Sequence, residues 1–387
     1  MGNKTERSSN FELLRIVAMF MIIMYHITLH CVTAQIQGGN GDIKIHSMLF
    51  TQPLFYKKMF LVEIIMTFGQ ISNAVFLLIS GYFMVKKGKE LNLGGIAGKL
   101  LLQMGFAAVL LVVLSTVLFK IDGQNHYYTL LHINFFNQMS WYAGYYFFVM
   151  LIASLFLNEW LQKCGRRKYL TFLAATFAIV EFGWTGDLLG GVSGELRVAV
   201  TGIFLYALGG YIRMYDPFER VRSFVFCFIP VVLGGVILLS VYNSTYTNIE
   251  NFYFSGDPGS AYTQNYTFYG AYSIVCVLIA VCMFVMFQRI RVPQSKVLNF
   301  LGKSTFMIYL AHDNPFVRSI WGTKDWAADL YYTPWLYCLD LLKTAAITFL
   351  AGVGVYVMYL GVGKIGRLLS WMFIKDKREM PAEKSSV

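Results

Sequence analysis

The chain has 387 residues, of which 57% are hydrophobic and only 14% are charged. Soluble domains carry about a quarter charged residues, so the composition excludes an ordinary soluble domain and implies a single integral membrane domain over 1–387. The net charge of +11 gives no support to nucleic-acid binding, because the basic residues lie in short clusters between apolar runs.

Apolar windows of about 20 residues, enough to cross a bilayer, fall at roughly 11–31, 60–85, 98–119, 141–157, 168–184, 196–214, 223–241, 267–288, 303–321 and 337–360. They predict an all-α polytopic protein of about ten transmembrane helices, both termini on one side, with a short tail from about 361. Cations decide which side. Lys4 and Arg7, Lys86 to Lys99, Lys163 to Lys168, Arg213 to Arg222, Arg289 to Lys303 and the tail from Lys364 all fall in alternate segments. The opposite segments hold only Lys44, Lys57, Lys58, Lys120, Arg318 and Lys324. The positive-inside rule then makes both termini cytoplasmic and the protein a multi-pass component of a cell membrane.

In the first window, Glu12, Arg15, His26 and His30 interrupt an apolar run. Ionisable groups in hydrocarbon are costly and mark sites by default. Arg15 and His26 are eleven residues apart, which puts them on one helix face, about 20° out of register and about 16 Å apart in depth. The alternative is a snorkelling arginine and a packed histidine. Lys4, Arg7 and Val32-Thr33-Ala34 imitate a cleavable signal peptide, but Arg15 and His26 make a poor apolar core for one, so the helix is read as retained.

In the second window Glu63, Thr67 and Gln70 share a face, and Glu63 comes out at the depth of His26. A carboxylate beside an imidazole holds its tautomer and raises its basicity, as a general base requires. The alternative is a rim carboxylate in water. Ser80 and Gly81 follow, then Lys86, Lys87 and Lys89. With Arg15 these form a candidate grip for a phosphorylated ligand from the cytoplasm; alternatively the lysines only set topology.

Trp141, Tyr142, Tyr145 and Tyr146 suit an interfacial aromatic belt. The outer segments 32–59, 120–140, 242–266 and 322–336 are rich in Tyr, Trp, Asn and Gly, which suits a hydroxylated ligand such as a glycan. Asn243 and Asn265 start glycosylation-acceptor patterns. The ninth window holds His312, Asp313, Asn314 and then Pro315, a helix breaker. A broken polar helix at this depth lines a cavity or is buried in protein; the alternative is a simple cap. Six cysteines show no C-x-x-C spacing, so neither a disulfide framework nor a zinc site is implied, and no metal is expected.

FELLRIVAMFMIIMYH, with its Arg-x10-His, resembles the opening helix of the bacterial membrane acyltransferase family 3. NAVFLLISGYFMVKK, SWYAGYYFFVMLIASLFLN and LGKSTFMIYLAHDNPFVR resemble later elements of that family, in its order, from residue 11 to about 318. The last is similar to the branch acting on cell-surface polysaccharides. The resemblance implies His26 as catalytic base or transient acyl carrier, and Arg15 as part of an acyl-coenzyme A site. It implies that Ser80 and Gly81 shape the donor tunnel, and that His312 lines the site from the opposite side. The Lys-rich element Lys86, Lys87 and Lys89 departs from the arginines of many members. Members that O-acetylate peptidoglycan commonly carry an extra extracytoplasmic hydrolase-like domain; none is expected over 1–387, which favours direct transfer.

The sequence therefore predicts an O-acyltransferase moving acetyl from acetyl-CoA to a polysaccharide or lipid-linked glycan, with His26 as base oriented by Glu63. His312, Asp313, Asn314 and Trp141 are the expected acceptor-side residues, and Arg15, Ser80, Gly81, Lys86 and Lys87 the donor-side ones. A proton-coupled exporter of a glycan or small solute uses similar intramembrane charges, but no inverted repeat is apparent. A non-catalytic sensor or scaffold is the third reading.

Overall fold

A computed structural model describes residues 8–36, 56–119, 141–182, 193–255 and 273–379. Much of the Tyr- and Asn-rich outer sequence, including Asn265, lies outside the described residues. Helix α1 (Ser9–Ile27) runs through a π-helical turn (Thr28–Val32) into a last turn, Thr33–Ile36. Then come α2 (Tyr56–Met84), followed by a 3-10 segment (Val85–Glu90), and α3 (Leu93–Phe119). Helix α4 (Trp141–Ile152) continues through a second π-helical turn, Ala153–Leu157, to Asn158–Lys163. Helices α5 (Gly165–Phe182), α6 (Ser193–Tyr215), α7 (Ser223–Ser255) and α8 (Ile274–Arg289) follow. The chain ends in α9 (Lys296–His312), α10 (Pro315–Trp321), α11 (Trp326–Tyr332) and α12 (Pro334–Glu379).

Among the described residues there is no strand, and seven helices are long and apolar enough to cross a membrane: α1, α2, α3, α4, α6, α7 and α12. The three other apolar windows also fall on helices, α5, α8 and α9, which are shorter or more polar. The protein is thus an all-α polytopic membrane protein.

Helices α1 and α2 form the middle of the bundle. Helix α2 packs on α1, α6, α7 and α8, while α1 also packs on α8, α9 and α12. Helices α3, α7 and α12 turn most of their apolar surface outward, as lipid-facing helices do. Because lipid tails are as apolar as leucine, close backbone approach at small residues holds such helices together. The α2–α6 contact shows this directly. A Cβ added to Gly81 would collide with the Tyr206 carbonyl oxygen, and one added to Gly209 would collide with that of Leu78. Three buried apolar clusters result among the described residues. The largest, around Leu14, Leu78, Tyr206 and Phe284, joins α1, α2, α6 and α8; the second, around Ile23, Val62, Trp326 and Tyr337, joins α1 and α2 to α11 and α12; a small third, around Ala107, Met307 and Tyr356, joins α3, α9 and α12.

Candidate active site

The site begins with the break between α9 and α10. Pro315 disfavours helical backbone at the residue before it, and Asn314 is extended there, at φ −149° and ψ 161°. Its side-chain carbonyl accepts from the Val317 N–H at 3.0 Å, capping α10. Its amide donates to the Ala311 carbonyl at 2.8 Å, closing α9. Asn314 thus serves both helix ends, and the non-helical backbone of Asp313 turns that carboxylate toward α1.

Four charged or titratable side chains meet around Asp313. Arg318 Nε donates to Oδ1 at 2.7 Å. His30 Nε2 lies 3.4 Å from Oδ1, and His26 Nε2 lies 3.5 Å from Oδ2. His26 and His30 are one turn apart with parallel rings, 5.7 Å between centroids, just where the π-helical turn begins. At that turn Thr33 N–H reaches back to the Thr28 carbonyl, and such turns recur at functional sites. The fourth group is His312, whose Nε2 lies 2.9 Å from His26 Nδ1.

The protons in this chain are fixed by acceptors that cannot donate. His312 Nδ1 lies 2.8 Å from the Tyr309 carbonyl and 3.2 Å from that of Ile308, so Nδ1 carries a proton. In a neutral His312, Nε2 is then bare and accepts from His26 Nδ1–H. His26 Nε2 is left as the free basic nitrogen, beside Asp313. Its side chain keeps 14% exposure, against 24% for His30 and 16% for Asp313, so the cluster is enclosed but reachable.

A cavity of about 310 Å³ approaches this cluster from the other end of the bundle. Arg15, Met19 and Ile22 line it from α1; these are successive positions on one helical stripe, and His26 is the next. Arg15, Lys99 and Lys303 are its cations, at the end where α1, α3 and α9 start. Arg15 is held by Glu12, with Nη1 donating to Oε1 at 2.9 Å. Ser80 lines the cavity from α2, and Tyr142 and Tyr309 line it from α4 and α9. Tyr309 also packs against His312, with 6.0 Å between ring centroids. The cavity therefore carries three cations and is walled by Tyr309, the residue that separates it from His312.

The structure redistributes the roles expected from sequence. His26, His312 and Asp313 come together, and Arg15 and Ser80 line one cavity. Glu63 is buried on α2, and the carboxylate of Asp313 lies 3.5 Å from His26 Nε2. Depth along the helices suggests Glu63 for that place, but depth carries no information about a carboxylate on a broken helix. Gly81 packs α2 on α6 and is not part of the cavity lining. Lys86 and Lys87 are exposed on the segment after α2, and Lys99 and Lys303 hold the places at the cavity. Asn314 is buried and engaged in capping. Trp141 is exposed, with its ring 5.7 Å from Tyr142 and 6.0 Å from Tyr145; the cavity is lined by the neighbouring Tyr142 instead. Tyr309 and Arg318 are not among the site residues expected from sequence, although both lie within a helical turn or two of His312 and Asp313.

His26, His30 and Asp313 each bring a donor atom within 4.8 Å of the others, a grouping able to hold a metal ion. Arg318 already places a positive charge on the same carboxylate, which disfavours a second cation there.

None of the curated proteins and none of the solved structures matches the chain. The acyltransferase domain family 3 matches residues 8–363, a span that takes in α1, the cavity and the broken α9–α10 helix together. The chain therefore belongs to acyltransferase family 3 and is a membrane acyltransferase.

Proposed function

We propose that the protein moves an acetyl group from cytoplasmic acetyl-CoA to a hydroxyl of an extracytoplasmic cell-surface polysaccharide, in a bacterial plasma membrane. The observation that carries this reading is the cavity running from Arg15, Lys99 and Lys303 up to Tyr309, beside the His26–His312 pair. Three cations at one mouth suit the phosphates of a coenzyme A thioester, and the apolar walls formed by Met19, Ile22, Phe76 and Phe306 suit its pantetheine arm. The distribution of Lys and Arg along the chain supports a cytoplasmic position for that mouth.

At the far end His26 Nε2 takes the proton of the acceptor hydroxyl as its oxygen attacks the thioester carbonyl. The imidazolium formed then presents Nε2–H to Asp313, whose charge stabilises it. Arg318 balances that carboxylate beforehand, so the resting imidazole stays neutral. Collapse of the tetrahedral intermediate breaks the carbon–sulfur bond, and the thiolate recovers the proton from His26. His312 holds the proton of His26 on Nδ1 throughout.

The test is purified protein in nanodiscs with acetyl-CoA. Release of coenzyme A that depends on added polysaccharide supports the reading, and solute flux without acetyl transfer overturns it. Comparison of surface glycan from deletion and wild-type cells by NMR then identifies the acetylated sugar by its missing signal.

A further inference from the structure

Acyl transfer through a tetrahedral intermediate needs a donor for the oxyanion, usually the largest single contribution of such a site. None of the groups assigned so far provides one, since His26 and His312 are committed to the proton. We infer that the Tyr309 hydroxyl is this donor. The inference rests on the acyl-transfer reading above.

Two hydrogen bonds to one oxygen decide where its proton points. A phenol has two acceptor positions and a single proton. The Tyr142 N–H donates to the Tyr309 hydroxyl at 3.1 Å, and the Ala143 N–H reaches the same oxygen. Both amides belong to the first turn of α4, where N–H groups have no intrahelical acceptor. With its lone pairs directed at α4, the hydroxyl must aim its proton elsewhere, and it donates to no group among the described residues. Amides at a helix start also draw charge toward the oxygen, which makes its proton a stronger donor.

Position completes the argument. Tyr309 is shared between the donor cavity and the histidine pair, and its ring lies against His312. Its backbone carbonyl fixes the His312 tautomer. A thioester carbonyl leaving the cavity toward His26 passes this side chain. In the reaction the acceptor oxygen bonds to the carbonyl carbon as its proton goes to His26 Nε2. The carbonyl oxygen takes the electron pair and accepts from Tyr309 O–H. That pair returns as the carbon–sulfur bond breaks, so Tyr309 ends as it began.

The experiment compares wild type and Tyr309→Phe in nanodiscs, measuring acceptor-dependent thiol release and binding of a non-reactive thioether analogue of acetyl-CoA. The expected result is a loss of about 10²–10³-fold in kcat with analogue affinity within about threefold of wild type. Unchanged kcat overturns the assignment, and so does loss of analogue binding in step with rate, which marks a structural role. To keep the fold intact in a second variant, 3-fluorotyrosine at 309 retains both the oxygen that α4 requires and the proton that the oxyanion takes. Its kcat should stay within about tenfold of wild type, and a loss as large as that of Tyr309→Phe overturns the proposal. If wild type itself releases no thiol with any hydroxylated acceptor, the acyl-transfer reading fails and the assignment of Tyr309 falls with it; failure in the variants alone leaves that reading standing.

Discussion

His312 accepts the Nδ1 proton of His26 across 2.9 Å, and its own Nδ1 is tied to the Tyr309 carbonyl at 2.8 Å. One imidazole thus sets the tautomer of another, a role that carboxylates usually fill. Replacing His312 with Ala frees His26 to place its proton on either nitrogen. Selecting the wrong tautomer removes the basic Nε2, so kcat should fall by about 10²-fold or more while KM for acetyl-CoA changes little. His312→Gln, whose side-chain carbonyl accepts a hydrogen bond, should recover part of that loss. Steady-state kinetics on the two variants check this; equal rates would show that His312 only fills space.

Asp313 and Glu63 give a contrasting pair. Asp313 faces His26 and His30 and accepts from Arg318. Asp313→Asn removes the charge that stabilises an imidazolium at His26 and leaves Arg318 without its counter-ion. A drop in kcat of about 10²-fold is expected, on the scale of a positioned electrostatic group. Glu63→Gln should stay within about threefold of wild type, because the carboxylate of Asp313 already lies at His26 Nε2. The reverse ranking would restore Glu63 as the partner.

These two carboxylates mark the limit of what the sequence could reveal. The stripe from Arg15 to His26 was readable because both lie on one helix, whose geometry fixes their relative positions whatever surrounds it. The membrane class and the location of the helices followed from apolar windows in the same way. Pairing between helices depends on rotation about each axis, which spacing does not give. Asp313 reaches His26 only because Asn314 and Pro315 break the helix after His312 and turn the backbone. The cavity lysines were hidden for a similar reason. Lys86 and Lys87 follow the end of α2, whereas Lys99 and Lys303 lie near the starts of α3 and α9; all four fall in inner segments by charge, and only packing decides that Lys99 and Lys303 border the cavity.

A prediction about those cations follows. Arg15→Ala should raise KM for acetyl-CoA about tenfold with little change in kcat, since a phosphate grip acts equally on ground state and transition state. Lys99→Ala and Lys303→Ala should each raise it several-fold, and the effects should shrink with added salt. Lys86→Ala and Lys87→Ala, at exposed positions outside the cavity, should leave KM near wild type. Titration of acetyl-CoA at two ionic strengths checks all five. A larger effect from Lys86 or Lys87 than from Lys99 or Lys303 would shift the donor's entry away from this cavity.

Gly81 provides the last test, because sequence similarity assigned it to the donor tunnel and packing assigns it to the fold. A methyl group at 81 would drive α2 away from the Tyr206 carbonyl on α6, and neither backbone can yield without disturbing the Leu78–Gly209 contact beside it. Overpacking of this kind costs about 1–3 kcal/mol or more, so Gly81→Ala should lower the melting temperature in detergent by several degrees. KM for acetyl-CoA in the surviving folded fraction should stay near wild type, since the lining at Ser80 is retained. Ser80→Ala should do the opposite: Ser80 Oγ donates to the Phe76 carbonyl of its own helix at 2.8 Å and meets the Tyr146 hydroxyl of α4, and its loss adds no atom to the packing, so stability should hold while KM rises. Thermal melts beside donor titrations separate the two. A Gly81→Ala protein that melts like wild type but binds donor poorly would return that glycine to the tunnel wall.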